Sequence, residues 1–208
     1  MVNVQQIKLS KMATFCYVIY DDITRNCGVI DPAFDTDLIL NIIQSKGFTL
    51  THVINTHRHA DHTAGNSAMI IATGAKLAIH KDDALKLTSF INGIFTHILG
   101  GKKSHPPDIL LQDNDSIQIG QTNLTVLHTP GHTEGSICLY TPGHLFSGDT
   151  LFVDGIGRTD LPGGSYDQIV AAIQKKLFTL PDDTILWPGH DYSATPSTTI
   201  GIRKLKII

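Results

Sequence analysis

The chain has 208 residues, 41% hydrophobic and 17% charged, with a formal net charge of −3. That length suits one domain with a sizeable core. No basic run is longer than the short stretch Arg203-Lys204-Leu205-Lys206, which argues against a nucleic-acid partner, and no apolar run reaches the ~20 residues of a membrane span. Met1 to Ser10 alternates polar and apolar residues without an apolar core, so no signal peptide is read there and a cytoplasmic protein is expected. Cys16, Cys27 and Cys138 are far apart and form no Cys-x-x-Cys pair; they are expected to be reduced core residues.

In chain order, Thr14 to Tyr20 and Cys27 to Ile30 read as strands around a polar hairpin connection at residues 21–26. Asp35 is placed to cap a helix over Thr36 to Lys46, stopped by Gly47. Thr51 to Thr56 reads as a buried strand, and a helix is expected from His62 or Thr63 to Thr73. Lys76 to His80 is a short strand; Asp82 to Phe95 has helical spacing interrupted at Asn92-Gly93; residues 100–107 form a loop. In the second half, Ser116 to Ile119 and Asn123 to Leu127 are strands, and Ile137 to Tyr140 with Leu145-Phe146 make a hairpin around Pro142-Gly143. Ser165-Tyr166-Asp167-Gln168 has the form of a capping box opening a helix to about Phe178, and Thr184 to Trp187 is a last strand. Two similar half-units of sheet and helix fit an α/β sandwich better than a strict βαβα winding.

Eleven histidines are the compositional outlier, and they cluster. His57-x-His59-x-Asp61-His62 sets four metal-competent side chains within six residues, just past a strand end. Imidazole and carboxylate suit zinc, iron or manganese. One helix cannot aim residues at these spacings at a single ion, but a turn that splays them serves two. Three later segments repeat one pattern: Pro130-Gly131-His132, Ser147-Gly148-Asp149 and Pro188-Gly189-His190 each follow an apolar strand, with the metal-competent residue directly after a glycine. Sheets whose strands end at one edge would present all seven side chains to one cleft.

These motifs, in this order, resemble the metallo-β-lactamase superfamily over nearly the whole chain. The resemblance implies a single domain over residues 1–208. Its fold would be an αββα sandwich of two mixed, mostly antiparallel sheets with outer helices and metals at one edge. His57, His59 and His132 would hold one ion and Asp61, His62 and His190 a second, with Asp149 bridging. Two divalent ions are implied, zinc foremost, iron or manganese otherwise; they would generate a bridging hydroxide near neutral pH. Asp61 and Asp149 are the residues expected to serve catalysis, Asp61 by orienting the nucleophile. Gly155 to Gly164, Leu180 to Asp183 and Thr198 to Gly201 look like the short glyoxalase II-like hydrolases, whose substrates are small thioesters of glutathione. Arg158 is then expected to grip a glutathione carboxylate, or else to pair with Asp160 at the surface, and Tyr192 to border the substrate cleft. Longer relatives carry a C-terminal helical domain that is not expected here, since the sequence stops at Ile208. Similar motifs occur in persulfide dioxygenases, which use one iron on the equivalents of His57, His132 and Asp149. That activity is the alternative, followed by a lactonase or β-lactamase, and last by a purely structural metal site.

Asp31 stays open between a carboxylate behind the ligands and an Asp-Pro turn. His52, His80, His97, His105, His128 and His144 lack metal spacing and are read as structural or exposed. Lys102 and Lys103 place the loop at residues 100–107 as a candidate lid. Oligomeric state is not set by the sequence.

Overall fold

A computed structural model describes residues 2–206, so Met1 and residues 207–208, the ends of the expected domain, lie outside the described residues. β2 (Phe15–Tyr20) and β3 (Asn26–Ile30) are almost wholly buried. A strand that reads as a continuous apolar run has both faces covered. In β2, Phe15, Tyr17 and Ile19 join one core cluster while Cys16 and Val18 join another, so the strand lies between two packed layers.

The first sheet has the order β1-β2-β3-β4-β5-β6, with β1 (Asn3–Lys8), β4 (Thr49–Ile54), β5 (Lys76–His80) and β6 (Ile109–Leu111). β1 to β3 pair antiparallel, and β3 to β6 run parallel. Parallel neighbours need crossovers. These are α1 (Thr36–Ser45); α2 (Ala60–Thr63) with α3 (Asn66–Thr73); and α4 (Lys81–Leu87) with α5 (Phe90–Ile98).

The second sheet has the order β12-β11-β10-β9-β8-β7. It comprises β7 (Ser116–Ile119), β8 (Thr122–His128), β9 (Ile137–Thr141), β10 (His144–Gly148), β11 (Ile185–Pro188) and β12 (Thr198–Thr199). All its pairs are antiparallel except β10 with β11, which are joined through α6 (Tyr166–Ala172) and a π-helical continuation, Ile173–Leu177. α7 (Ile200–Leu205) follows β12.

Ile19, Ile30, Ile54, Ile119, Leu139 and Phe146 fill the space between the sheets. Ile39, Ile43, Met69 and Leu87 pack helices on the outside of the first sheet, and Ile169, Ile173, Leu177 and Ile200 do so on the second. The layers are therefore αββα. Cys16, Cys27 and Cys138 are free and buried, and burial raises their thiols, to about 12 for Cys27 and about 11 for Cys138.

Some boundaries differ from expectation for identifiable reasons. Asp35 precedes α1 but makes no side-chain cap; its carboxylate accepts from Ser10 N and Ser10 Oγ instead, at 2.6 and 2.8 Å. The helix expected over Asp82 to Phe95 is two helices, broken at Thr88-Ser89 rather than at Asn92-Gly93. Ser89 Oγ accepts from Asn92 N, and Asn92 Nδ2 donates to Leu87 O, so one asparagine closes α4 and opens α5. α5 leaves Phe90, Ile91, Ile94, Phe95 and Ile98 largely exposed. β1, β6, β12 and α7 were not read from sequence: β1 is a polar, half-buried edge strand, and the others are short.

The parallel pairs place the site. β3 and β4 end together at Ile30 and Ile54, and β10 and β11 end together at Gly148 and Pro188. Phe15 N donates to Gly189 O and Asp191 N to Ala13 O, which brings the two edges to one rim.

Candidate metal centre

His57 lies in the turn after β4, His59 caps α2 in an extended conformation, and Asp61 and His62 lie within the single turn of α2. A break at Gly65 separates that turn from α3; a Cβ there would lie 2.0 Å from Pro32 O. Gly131 has φ +133°, and a Cβ would strike the backbone of Ile169, so only glycine carries the chain from β8 to His132. A Cβ on Gly189 would lie 2.3 Å from Asp149 Oδ1; that glycine lets the exits of β10 and β11 close on each other.

Ligand atoms of His57, His59 and His132 lie within 4.8 Å of one another, as do those of Asp61, His62 and His190, and those of His57, His62 and Asp149. The structure thus gathers all seven ligand candidates at one rim, in the two triads the resemblance implies, with Asp149 between them.

In four of these candidate ligands the second ring nitrogen is held by the protein. His132 Nδ1 donates to Arg158 O at 2.8 Å, His190 Nδ1 to Met12 O at 2.9 Å, and His62 Nδ1 to Asp31 Oδ2 at 3.0 Å. His57 Nδ1 lies 3.0 Å from Thr56 Oγ1, whose hydroxyl donates to Asp31 Oδ2 at 2.6 Å. Each contact leaves Nε2 free to ligate, the arrangement that orients metal-binding imidazoles. Asp31 is therefore both the turn, with φ +53°, and the carboxylate behind His57 and His62. Sequence left it undecided because its partners lie 25 and 31 residues away.

These residues fit a pair of cations. His57 Nε2 and Asp149 Oδ1 are buried without a hydrogen-bond partner. His59 Nδ1 faces His132 Nε2 at 2.9 Å, and His62 Nε2 faces His190 Nε2 at 3.1 Å. Orphaned buried acceptors are costly unless positive charge lies beside them, and the converging imidazole nitrogens mark where it would sit. Burial, with the neighbouring histidines, lowers His57 well below the ordinary imidazole value and His59 to about 3, so both stay neutral. Burial also disfavours charge on His62, but Asp149, Asp31 and Asp61 outweigh it and raise its pKa to about 10. Burial would likewise raise the carboxyl of Asp149, yet His62, His190 and His132 hold it far below the usual carboxylate range.

Sequence reading missed Asp83, which is fully buried in α4. It accepts from Arg58 N and Nη1 at 2.9 and 2.6 Å, from Thr133 Oγ1 at 2.7 Å and from Gly135 N at 3.2 Å. One carboxylate thus ties the loop of His57 to His62 to the loop of His132. Arg58 also donates to Glu134 and to Pro162 O.

The two candidate substrate contacts sit at the periphery. The Arg158 guanidinium is exposed and paired in two bonds with Asp160, at 2.8 and 2.7 Å; the Arg158 carbonyl is what reaches the centre. The Tyr192 ring stacks on His190 with centroids 4.6 Å apart and remains 59% exposed. The loop considered as a lid is pinned: Ser67 Oγ donates to Lys103 O, Gly101 N to Thr96 O and Asn66 Nδ2 to Ser104 Oγ.

An αββα sandwich with a cluster of histidines and aspartates able to bind metal at its rim defines a metalloenzyme. Residues 10–190 match the sequence profile of the Metallo-beta-lactamase superfamily. The chain belongs to that superfamily, a family of metal-dependent enzymes. It is similar to a hydroxyacylglutathione hydrolase of Polaromonas sp., 38% identical over 182 residues that cover 86% of this chain and 62% of that one. It is also similar to the human mitochondrial persulfide dioxygenase ETHE1, 30% identical over 90% of this chain and 67% of that one. The solved structure of TTHA1623 in a di-iron-bound form superposes with a TM-score of 0.83 at 28% identity, over 97% of both chains. The chain spans less than two thirds of the Polaromonas protein's length. Among the described residues, no helix is long and apolar enough to cross a membrane.

Proposed function

We propose that the protein hydrolyses small thioesters of the hydroxyacylglutathione type, with His57, His59 and His132 holding one divalent ion, Asp61, His62 and His190 a second, and Asp149 shared. The observation that carries this reading is that the second triad is built as carefully as the first. His62 and His190 each have Nδ1 committed to a fixed acceptor and Nε2 turned inward. That orientation supplies a set of ligand atoms for a second ion. The likeness to the Polaromonas hydrolase supports the substrate class. Zinc is the first expectation for both ions.

When bound, such ions supply Lewis acidity and bring the pKa of a shared water toward neutrality. The chain's own groups do the rest. Asp31 and the carbonyls of Met12 and Arg158 fix the imidazoles, so little reorganisation accompanies reaction. Asp61, whose side chain is 20% exposed, is placed to orient the attacking water and accept its proton. Water and thioester yield a carboxylic acid and a thiol. A thiol of pKa about 8.5 leaves readily as thiolate, so no dedicated acid is demanded of the site. Tyr192, stacked beside His190, offers an apolar wall for the thiol portion.

A second reading has a specific support: the two histidines His57 and His132 with Asp149 make a 2-His-1-carboxylate set suited to a single iron, and the human persulfide dioxygenase is a comparably similar relative. Metal content after anaerobic purification, followed by assays on S-lactoylglutathione and on glutathione persulfide, separates the two. Two ions per chain and thioester hydrolysis are expected. One iron per chain, with oxygen uptake on persulfide and no hydrolysis, would overturn the thioesterase reading.

A further inference from the structure

His80 ends β5 and His128 ends β8, in different sheets, yet their rings stack with centroids 4.0 Å apart and planes 12° from parallel. One ring nitrogen of each and a carboxylate oxygen of Asp82 lie within 4.8 Å of one another. His128 Nε2 donates to Glu134 O at 2.9 Å, which leaves the lone pair on Nδ1. His80 Nδ1 accepts from Asp82 N over a long 3.3 Å, so its lone pair is also on Nδ1, and it faces Asp82 Oδ2 at 3.6 Å.

Two imidazole lone pairs and a carboxylate thus converge, and the hydrogen bond to a carbonyl behind His128 is the arrangement that orients metal-binding imidazoles. Burial, with His128 alongside, lowers the pKa of His80 below the ordinary imidazole value, which favours the neutral ligand form. A second carboxylate is near: Asp113 Oδ1 accepts from His128 N at 2.8 Å.

We propose that His80, Asp82 and His128 form an auxiliary binding site for a transition-metal ion of the zinc type, outside the seven-ligand centre. Two imidazole nitrogens and one carboxylate leave a fourth position for water, the usual count for zinc. Parallel rings aim their lone pairs side by side, so binding requires the rings to open. Such opening falls on His128, which is half-buried where His80 is buried, and the exposed Asp82 carboxylate can follow it. An ion here would join the start of α4 to the end of β8. Asp83, the next residue after Asp82, clamps the metal loops, so this cross-link stiffens the support of the main centre.

The test is calorimetric titration of the zinc-loaded enzyme with further Zn²⁺, in the wild type, Asp82→Asn and His128→Gln. One additional equivalent per chain is expected in the wild type and none in either variant, while the zinc retained by the main centre stays the same in all three. Asp82 is exposed, so its variant guards against a folding artefact in the other. A zinc-dependent rise in Tm is expected to shrink in both variants. Equal total stoichiometry in the wild type and both variants would overturn the proposal. The comparison is a difference between variants, so it holds whether the main centre takes one ion or two.

Discussion

Asp31 shows how one residue can carry two loads. Its φ of +53° turns the chain out of β3, and its carboxylate holds His62 directly and His57 through Thr56. Asparagine tolerates the left-handed region, so Asp31→Asn should keep the turn while weakening the support. Metal affinity is expected to fall about 10- to 100-fold with all seven ligands intact, as for other residues behind ligating histidines. Chelator competition measures this, and an unchanged affinity would reduce Asp31 to a turn. His62 gives a second expectation. With its pKa at about 10, the ion-free protein carries a proton on His62 at neutral pH, and a ligating imidazole must give it up. Ion binding should therefore release about one proton on that side, and affinity should drop about tenfold per unit as pH falls below 10. Calorimetry in buffers of different ionisation enthalpy counts that proton; no buffer dependence would contradict the raised value.

At the scale of elements, the centre is a meeting of loops, and what holds the loops is a buried ion pair. Arg58 and Asp83 have side chains 9% and 0% exposed and lie 2.6 Å apart. Arg58→Ala leaves Asp83 as a buried charge without its main partner, which costs about 3–5 kcal/mol. At about 2–4 °C per kcal/mol for a chain of this size, Tm should fall by about 6–20 °C. Scanning calorimetry on metal-loaded protein reads it; a fall under ~2 °C would mean that the hydrogen bonds to Asp83 from the backbone N–H of residue 58, from Thr133 and from Gly135 suffice. Gly157 marks another junction. A Cβ there would lie 1.8 Å from Asp149 O, so Gly157→Ala must displace either Asp149 or the segment whose Arg158 carbonyl holds His132. Loss of bound metal without unfolding is the expected result, read by elemental analysis alongside circular dichroism.

For the whole molecule, the rim joins the edges of both sheets, so metal and fold are linked. Ligands that bind only the folded state add about 2.7 kcal/mol at a hundredfold excess over Kd. Chelation should therefore lower Tm and re-addition of Zn²⁺ restore it, whereas an unchanged Tm would mean that no ion binds the folded chain in preference to the unfolded one. The core between the sheets supports that rim. Phe146 is fully buried there against Tyr17 and Trp187, and Phe146→Ala is expected to cost about 3–5 kcal/mol in denaturant melts.

That these seven metal-competent side chains would meet could be read from the chain, because such residues at strand exits need glycine beside them, and Gly131, Gly148 and Gly189 mark those exits in plain text; their division into two sets came from the resemblance. The sandwich could be read too, since strands such as Phe15–Tyr20 are apolar on both faces only when both faces are covered. Folding in space decided the rest. A backbone carbonyl has no sequence identity, so nothing at Met12 or Arg158 announces the acceptor that orients His190 or His132. Asp83 looks like any acid in the first turn of a helix until it meets Arg58 and Thr133, 25 and 50 residues away. His80 and His128 lack any common spacing, and only the packing of one sheet on the other stacks them. Ligand type is a property of single residues and their neighbours. Orientation, protonation and mutual contact depend on partners distant in the chain, and these exist only once the two sheets have closed on each other.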